Sequence, residues 1–470
     1  MDQDFHYYGT YYAARVGGGY SREDATRIAK ASNFIDFLSN EGYAGYWRLV
    51  RDTEKRSDED YDIVAKVDYP RYTYQGNLST GVDGSRGLWA SYHFAPGNYA
   101  DPANTPSDAD IHGKEIAGLL PGHQIRTINP DSSLDISPEI GQLLNRPQSA
   151  LSRTLIQDTI ECLTNPQRLE AILERAAGGE ALLNDPDKAN ILKRFGLVLL
   201  GARAHVIADT WAHQDWSSAN NVINTYWDVS DSTYHNQFAQ RIEYQDIGDE
   251  WNQIKLSSLS HLNLSAVPNG TSYLGHGWMG HFPDYSFVKY RYKPCWRKTS
   301  DPVLERDNPT EFKHAFLELC SLFCQTQGNK FQPQKAKNEL AAAQMAISEP
   351  CEIDNKENCP RKYSQEQWIT KMQGVDIEAP IDLIDTELEP HPKAVLDGQV
   401  DYDSMLGTRY GTYYINFASD LYLFEIAADY HFQFMKNWLT THDIGTDELF
   451  TGSWSKQLGP ISEKISEILA

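Results

Sequence analysis

The stretch Asp185-Pro186-Asp187, followed by Lys188 and then by Phe195-Gly196-Leu197-Val198-Leu199-Leu200-Gly201-Ala202-Arg203-Ala204-His205-Val206-Ile207-Ala208-Asp209-Thr210-Trp211-Ala212-His213, bears on fold and chemistry together. Asp-Pro-Asp is a helix start: a carboxylate accepts from the free N–H groups of the first turn, and Pro presets the backbone. The pattern predicts one long helix from residue 188 to about residue 213, with an apolar run from Phe195 to Leu200. Near its end His205, Asp209 and His213 recur at i, i+4 and i+8. On a helix His205 and Asp209 stand one turn apart, and His213 lies a further turn on, about 80° round from His205. Imidazole nitrogen and carboxylate oxygen are the donors Zn²⁺ takes outside thiolate sites. An unpartnered carboxylate on an apolar flank is costly. The spacing points to metal ligation, with a buried Asp–His hydrogen bond as the structural alternative.

Helical signals also dominate on both sides of this stretch. Ser21-Arg22-Glu23-Asp24 is a capping box that opens a helix over residues 25–38. Further helices are predicted over residues 147–163, from Asn165-Pro166 toward residue 177, and from Asn308-Pro309-Thr310-Glu311 through residue 324. Residues 413–439 read as a long aromatic-rich helix. Between these, residues 40–135 are rich in Gly, Asp, Pro and Tyr, with short strands expected only around residues 62–67. The expected fold class is all-α, a multi-helix bundle with long irregular loops. The expected division is a metal-site helical domain over residues 1–330, with a loop-rich insertion at about 40–135, and a C-terminal helical extension over 331–470. No internal repeat is visible.

The chain has 470 residues, 42 Lys and Arg against 65 Asp and Glu, and a formal net charge of −23. That charge disfavours stable binding of nucleic acid by phosphate neutralisation. It leaves room for an enzyme that grips a phosphate through bound cations. The 17 Phe, 27 Tyr and 11 Trp exclude a disordered acidic chain. No run reaches the roughly 18 apolar residues of a membrane span. Met1-Asp2-Gln3-Asp4-Phe5-His6 has neither the basic nor the apolar region of a classical signal peptide. The default location is cytoplasmic, the alternative being non-classical export as a toxin or effector. Cys320 and Cys324 read as buried helix thiols, whereas Cys351 and Cys359 bracket a polar loop that a disulfide would close in an oxidising compartment. Gly-x-Ser-x-Gly and His-Glu-x-x-His are absent. Gly17-Gly18-Gly19 reads as a helix stop, and His314 and His431 as packing histidines.

A second cluster, Gly275-His276-Gly277-Trp278-Met279-Gly280-His281-Phe282-Pro283-Asp284, sets two His and one Asp among glycines that permit sharp turns. Its bland alternative is a turn with exposed histidines. The third element is Asp4-Phe5-His6-Tyr7-Tyr8-Gly9-Thr10, with His6 alone among aromatics. These three, together with Ala29-Lys30-Ala31-Ser32-Asn33-Phe34-Ile35-Asp36 and the run from His205 to Asp215, resemble the zinc-dependent phospholipase C and single-strand-specific nuclease superfamily, and within it a bacterial branch. The resemblance covers residues 1 to about 325. It implies an all-α enzyme whose zinc ions lie at the bottom of a cleft. It also implies His6 as an N-terminal ligand, Asp36 as a metal-bound carboxylate, and His93, in Ser91-Tyr92-His93-Phe94, as the following ligand. His205 and Asp209 would form the helix pair, with Asp209 bridging two ions, and His213 with His276, His281 or Asp284 would complete the remaining position. The superfamily's N-terminal Trp, which ligates through its amine, has no counterpart, and His-x4-His-x2-Asp replaces its His-x3-Glu or His-x3-Asp. The expected cofactor is two or three Zn²⁺ ions.

The resulting expectation is a phospholipase C-like hydrolase of phosphodiester bonds, with Asp36 and Asp209 as catalytic carboxylates and a metal-activated water as nucleophile. Phospholipid is the expected substrate. Aromatic loops such as Tyr43-Ala44-Gly45-Tyr46-Trp47 and residues 69–74 offer transient contact with a membrane surface. One alternative is a nuclease or nucleotidase with the same metal core, where aromatics stack bases. The other is a non-catalytic helical binding protein with a structural metal. A closed metal shell marks structure and an open position marks catalysis.

Overall fold

The computed structural model describes residues 1–37, 46–51, 62–67, 85–230, 240–256, 274–353, 361–373, 375, 400–403, 412–450, 461 and 468. The long helix spans Lys188–Ala212, and every residue from Phe195 to Ala212 is buried. A helix buried on all sides needs neighbours on all sides. Helices Arg22–Phe37, Ala150–Thr164, Asn308–Thr326 and Asp420–Thr441 supply them. The closest approach is at Gly201, where a Cβ would stand 2.3 Å from the Ile28 carbonyl oxygen and 2.7 Å from Ala31 Cβ. That contact sets the helix carrying Asp36 against the helix carrying His205.

The N-terminal segment is a helix of mixed winding: π over Asp4–Gly9, α over Thr10–Ala13 and π over Ala14–Gly18. π turns are concentrated at functional sites, because the extra residue per turn re-aims side chains. Gly19 ends the helix at φ 66°, the stop read from the glycine run. Gly17 lies against the backbone of Cys320, leaving no room for a Cβ. Helix Arg361–Met372 covers the other side, with Trp368 edge-on to Phe5 at 6.1 Å and stacked on Tyr12 at 5.9 Å. Buried ion pairs tie the C-terminal helix in. Asp420 accepts from Arg27 Nε at 2.9 Å and from Arg194 Nη2 at 2.6 Å. Asp158 accepts from Arg203 Nη1 at 2.5 Å and from the Tyr430 hydroxyl at 3.1 Å.

The all-α expectation is wrong. Two sheets accompany the helices among the described residues. The first has the order β2 (Ile63–Val67), β1 (Tyr46–Val50), β9 (Thr412–Asn416), β8 (Val400–Asp403), with β1 and β9 parallel and the other pairs antiparallel. The second joins β3 (Tyr226–Trp227), β6 (Lys289–Pro294), β4 (Gln240–Gln245) and β5 (Asn252–Leu256), with β7 (Leu304–Asp307) also paired to β6. All pairs in the second sheet are antiparallel. These strands are short, and several come from distant parts of the chain. In β6 the burial alternates, with Tyr290, Tyr292 and Pro294 buried and Lys289, Arg291 and Lys293 less so, the period-2 pattern of a half-buried strand. The helix expected over 413–439 is likewise divided. Its start is strand β9, and Ser419 then caps Asp420–Thr441 by accepting from Tyr422 N–H at 3.3 Å. No helix among the described residues is long and apolar enough to cross a membrane. Cys359 and residues 43–45 and 69–74 of the aromatic loops lie outside the described residues, and Tyr46 and Trp47 begin β1.

Gly201→Ala should therefore destabilise the protein, because the new methyl meets backbone rather than a flexible side chain. The expected loss is about 1–3 kcal/mol, as for overpacked cores. It would be read as a fall in the urea midpoint at unchanged slope, and an unchanged midpoint would show that the helix pair has slack.

Candidate metal centre

The end of the central helix is held by a buried cation. Arg306 donates to the carbonyl oxygens of Gln214 at 2.5 Å, Trp211 at 3.1 Å and Ala212 at 3.3 Å. These are helix-terminal carbonyls, some of which no intrahelical N–H can reach. Arg306 is in turn paired with Glu311 and lies 3.6 Å from Asp215, which also accepts from Arg126 Nε at 2.8 Å and Arg146 Nη1 at 2.6 Å. Burial alone would raise the Asp215 pKa, but Arg146, Arg126 and Arg306 hold it well below the usual carboxylate range. This network fixes His213, the first residue past the helix.

Asp209 lies one turn before His213 with 1% of its side chain exposed. Its Oδ1 faces His6 Nε2 at 3.1 Å, and its Oδ2 faces His205 Nε2 at 3.2 Å and His93 Nδ1 at 3.3 Å. His93 directly follows helix Ser85–Tyr92. Asp36, next to last in Arg22–Phe37, lies 3.8 Å from His205 Nε2, 3.9 Å from His6 Nε2 and 4.0 Å from His93 Nδ1. The rings of His6 and His205 stack at 3.7 Å. On the other side of the helix end, Asp284 Oδ1 is 2.9 Å from His213 Nε2 and 3.6 Å from His276 Nε2. His281 Nδ1 is 3.5 Å from Asp284 Oδ2. Positive φ at Gly275 (53°) and Gly280 (60°) makes the turns that bring this segment back.

Nine residues singled out in the sequence thus meet in one place. Their donor atoms fall into overlapping groups within 4.8 Å: His6, His205 and Asp209; Asp36, His93 and His205; His213, His276 and Asp284; and His281 with Asp284 and Asp2. Asp2 was not anticipated. The signal was present, since Asp2-x3-His6 repeats in reverse the i, i+4 spacing of His205-x3-Asp209. The Met1 α-amino nitrogen was missed as well. It lies 2.5 Å from Asp209 Oδ1, 3.2 Å from His213 Nε2 and 3.3 Å from Asp284 Oδ1. Burial works against its charge, yet Asp209, Asp284 and Asp36 raise its pKa to about 11. His314 and His431 do pack: His314 against the Trp211 ring, and His431 donating to the Ser91 carbonyl at 2.7 Å.

The donor set fits divalent cations. His205, His213 and His276 each donate Nδ1–H to a backbone carbonyl, of Ser32 at 2.9 Å, His93 at 2.8 Å and Gly280 at 2.8 Å respectively. Each therefore presents the Nε2 lone pair to the cluster, the arrangement that orients metal-binding imidazoles. Nδ1 of buried His6 has no hydrogen-bond partner among the described residues, an arrangement that costs free energy unless something accepts its lone pair. Burial holds His6 down at about 3 and His276 at about 4, so both are neutral at neutral pH. Burial would raise Asp209 and Asp284, but His213, His276 and the Met1 amine hold both well below the usual range. Neutral imidazole with ionised carboxylate is the state that binds metal. Several of these buried His/Asp groups could each hold an ion.

The model of the DUF6765 family, a family of unknown function, matches residues 1–439. This chain belongs to the DUF6765 family. No curated protein and no solved structure matches it. The matched span of this DUF6765 chain contains every residue of the cluster.

Arg306→Gln should uncouple the helix end. It leaves Asp215 and Glu311 short of a buried partner, a change that typically costs about 3–5 kcal/mol. Chemical denaturation with the wild type alongside checks this, and a cost within experimental error would show that Arg126 and Arg146 suffice.

Proposed function

We propose that this chain is a phosphodiester hydrolase dependent on two or three zinc ions, similar in kind to the zinc-dependent phospholipases C. The observation that carries the proposal is the pair of buried carboxylates, Asp209 and Asp284, each with histidine nitrogens around it. His6, His205, His93 and Asp36 would hold ions on one side of Asp209, and His213, His276 and Asp284 on the other. When bound, zinc supplies Lewis acidity toward a phosphoryl oxygen and lowers the pKa of a bound water toward about 7.

The chain's own residues divide the remaining work by exposure. Asp209 is 1% exposed and Asp284 9%, whereas the Asp36 side chain is 30% exposed. A carboxylate that meets both the cluster and solvent is placed to orient an attacking water and take its proton. Asp209, almost fully buried, would bridge the ions and take its part in catalysis through them. The −23 charge repels long polyanions but tolerates a zwitterionic headgroup, which favours phospholipid over nucleic acid. Docking on phospholipid implies transient contact with a membrane surface.

Zinc-loaded protein should release phosphocholine from phosphatidylcholine in mixed micelles. Degradation of single-stranded DNA with phosphatidylcholine intact would overturn the lipid assignment, and inactivity on all phosphodiesters would overturn the hydrolase. Asp36→Asn should lower kcat by roughly 10²–10⁴-fold, the usual contribution of a general base. Asp209→Ala should lose bound zinc and activity together, measured by elemental analysis after dialysis. Full zinc content in that variant would exclude the bridging role.

A further inference from the structure

We infer that Asp2, His281 and Asp284 form a separate cation position at the rim of the cluster, taking one further divalent ion more weakly than the buried groups do. The inference rests on the metal-dependent reading above and extends it by one position.

Asp284 divides its two oxygens. Oδ1 is committed inward, to His213 Nε2 at 2.9 Å and His276 Nε2 at 3.6 Å. Oδ2 faces the other way, 3.5 Å from His281 Nδ1. His281 Nδ1 also lies 3.7 Å from Asp2 Oδ1, and donor atoms of the three residues fall within 4.8 Å of one another. His281 Nδ1 stands 3.5 Å from Asp284 Oδ2 and 3.7 Å from Asp2 Oδ1, spacings that small adjustments turn into donor positions about 2.0–2.2 Å from a shared ion. A carboxylate that offers one oxygen to each of two ions is the usual bridge of multi-metal sites. Asp209 shows the same division between His6 on Oδ1 and His205 with His93 on Oδ2.

The backbone fixes all three residues. Asp284 N–H donates to the His281 carbonyl at 2.8 Å and Tyr285 N–H to the same oxygen at 3.1 Å, closing a turn that puts His281 and Asp284 on one side. His281 stacks on the Tyr285 ring, with centroids 6.0 Å apart. Asp2 is tied to the N-terminal helix, because its carbonyl accepts from Phe5 and His6 N–H at 3.0 and 3.1 Å. An ion here would join the helix carrying His6 to the turn carrying His276.

Two features set this position apart from the buried groups. The His281 side chain is 26% exposed, against 0% for His6 and His205, so water can complete the coordination and the ion can exchange. Two of the three donors are carboxylates, an oxygen-weighted set that suits harder ions such as Mn²⁺.

Mn²⁺ is the probe. Zinc-loaded protein, freed of loosely held ions by gel filtration, is titrated with Mn²⁺ while electron paramagnetic resonance reports the free ion and elemental analysis reports zinc. One Mn²⁺ per chain should bind to the wild type, and this binding should be lost in both His281→Ala and Asp2→Asn with zinc content unchanged. If His281→Ala fails to fold, Asp2→Asn decides alone. Mn²⁺ binding that persists in the folded variants, or is absent from zinc-loaded wild type, would overturn this position and leave the hydrolase reading intact. A wild type that retains neither zinc nor Mn²⁺ would overturn both.

Discussion

An ionised carboxylate inside a protein must be surrounded by groups that favour its charge, and Asp209 imposes that requirement on the whole molecule. It is almost completely buried on a helix that is itself buried. Removing such a charge from water costs several kcal/mol after relaxation. The chain meets this by bringing His6, His93, His205 and His213 to its two oxygens, together with the Met1 amine. Three of these five, His6, His93 and the Met1 amine, come from segments that must be folded against the central helix. The N-terminal helix, the Ser85–Tyr92 helix and the Gly275–Gly280 turns are all positioned by this demand.

Backbone groups, more than side chains, hold the donors in aim. Three histidines are fixed by backbone carbonyls, two of them belonging to other segments, so no tautomer change is needed for Nε2 to bind. Arg306 does the complementary work, absorbing the carbonyls of the helix end so that the chain can turn at His213. Rigid aim of this kind is what a metal site needs, because donors held off by an ångström bind poorly.

Much of the cluster was legible because metal donors carry their own signal. His205, Asp209 and His213 declared themselves by helical spacing, and His276, His281 and Asp284 by glycines that bend the chain. The long helices were legible from start signals such as Asp185-Pro186-Asp187 and Asn308-Pro309, although Asp187 makes no side-chain cap hydrogen bond. The sheets were not. Strand β1 pairs with β9 across more than 360 residues, and a parallel partner so distant leaves no local trace. β6 did carry a trace, since Lys and Arg alternate there with Tyr, but that run is short and polar enough to resemble a loop. Asp2 and the Met1 amine were missed because a terminus is expected to fray. The Arg306 network escaped for a different reason: its members lie at positions 126, 146, 215, 306 and 311, and only the fold brings them together.

The parallel pairing of β1 with β9 has a consequence for how the molecule is made. Every donor of the cluster lies between residues 2 and 284, so a growing chain carries the full set well before its last third exists. The last of the four helices that cover the central helix, Asp420–Thr441, arrives much later, and β1 waits as long for its parallel neighbour. Closing so long a loop is slow, since its entropy is lost before any contact is gained. The ribosome thus delivers the chelating residues first and the last side of their enclosure later, and for that interval the helix carrying His205 and Asp209 lacks one of its four neighbours.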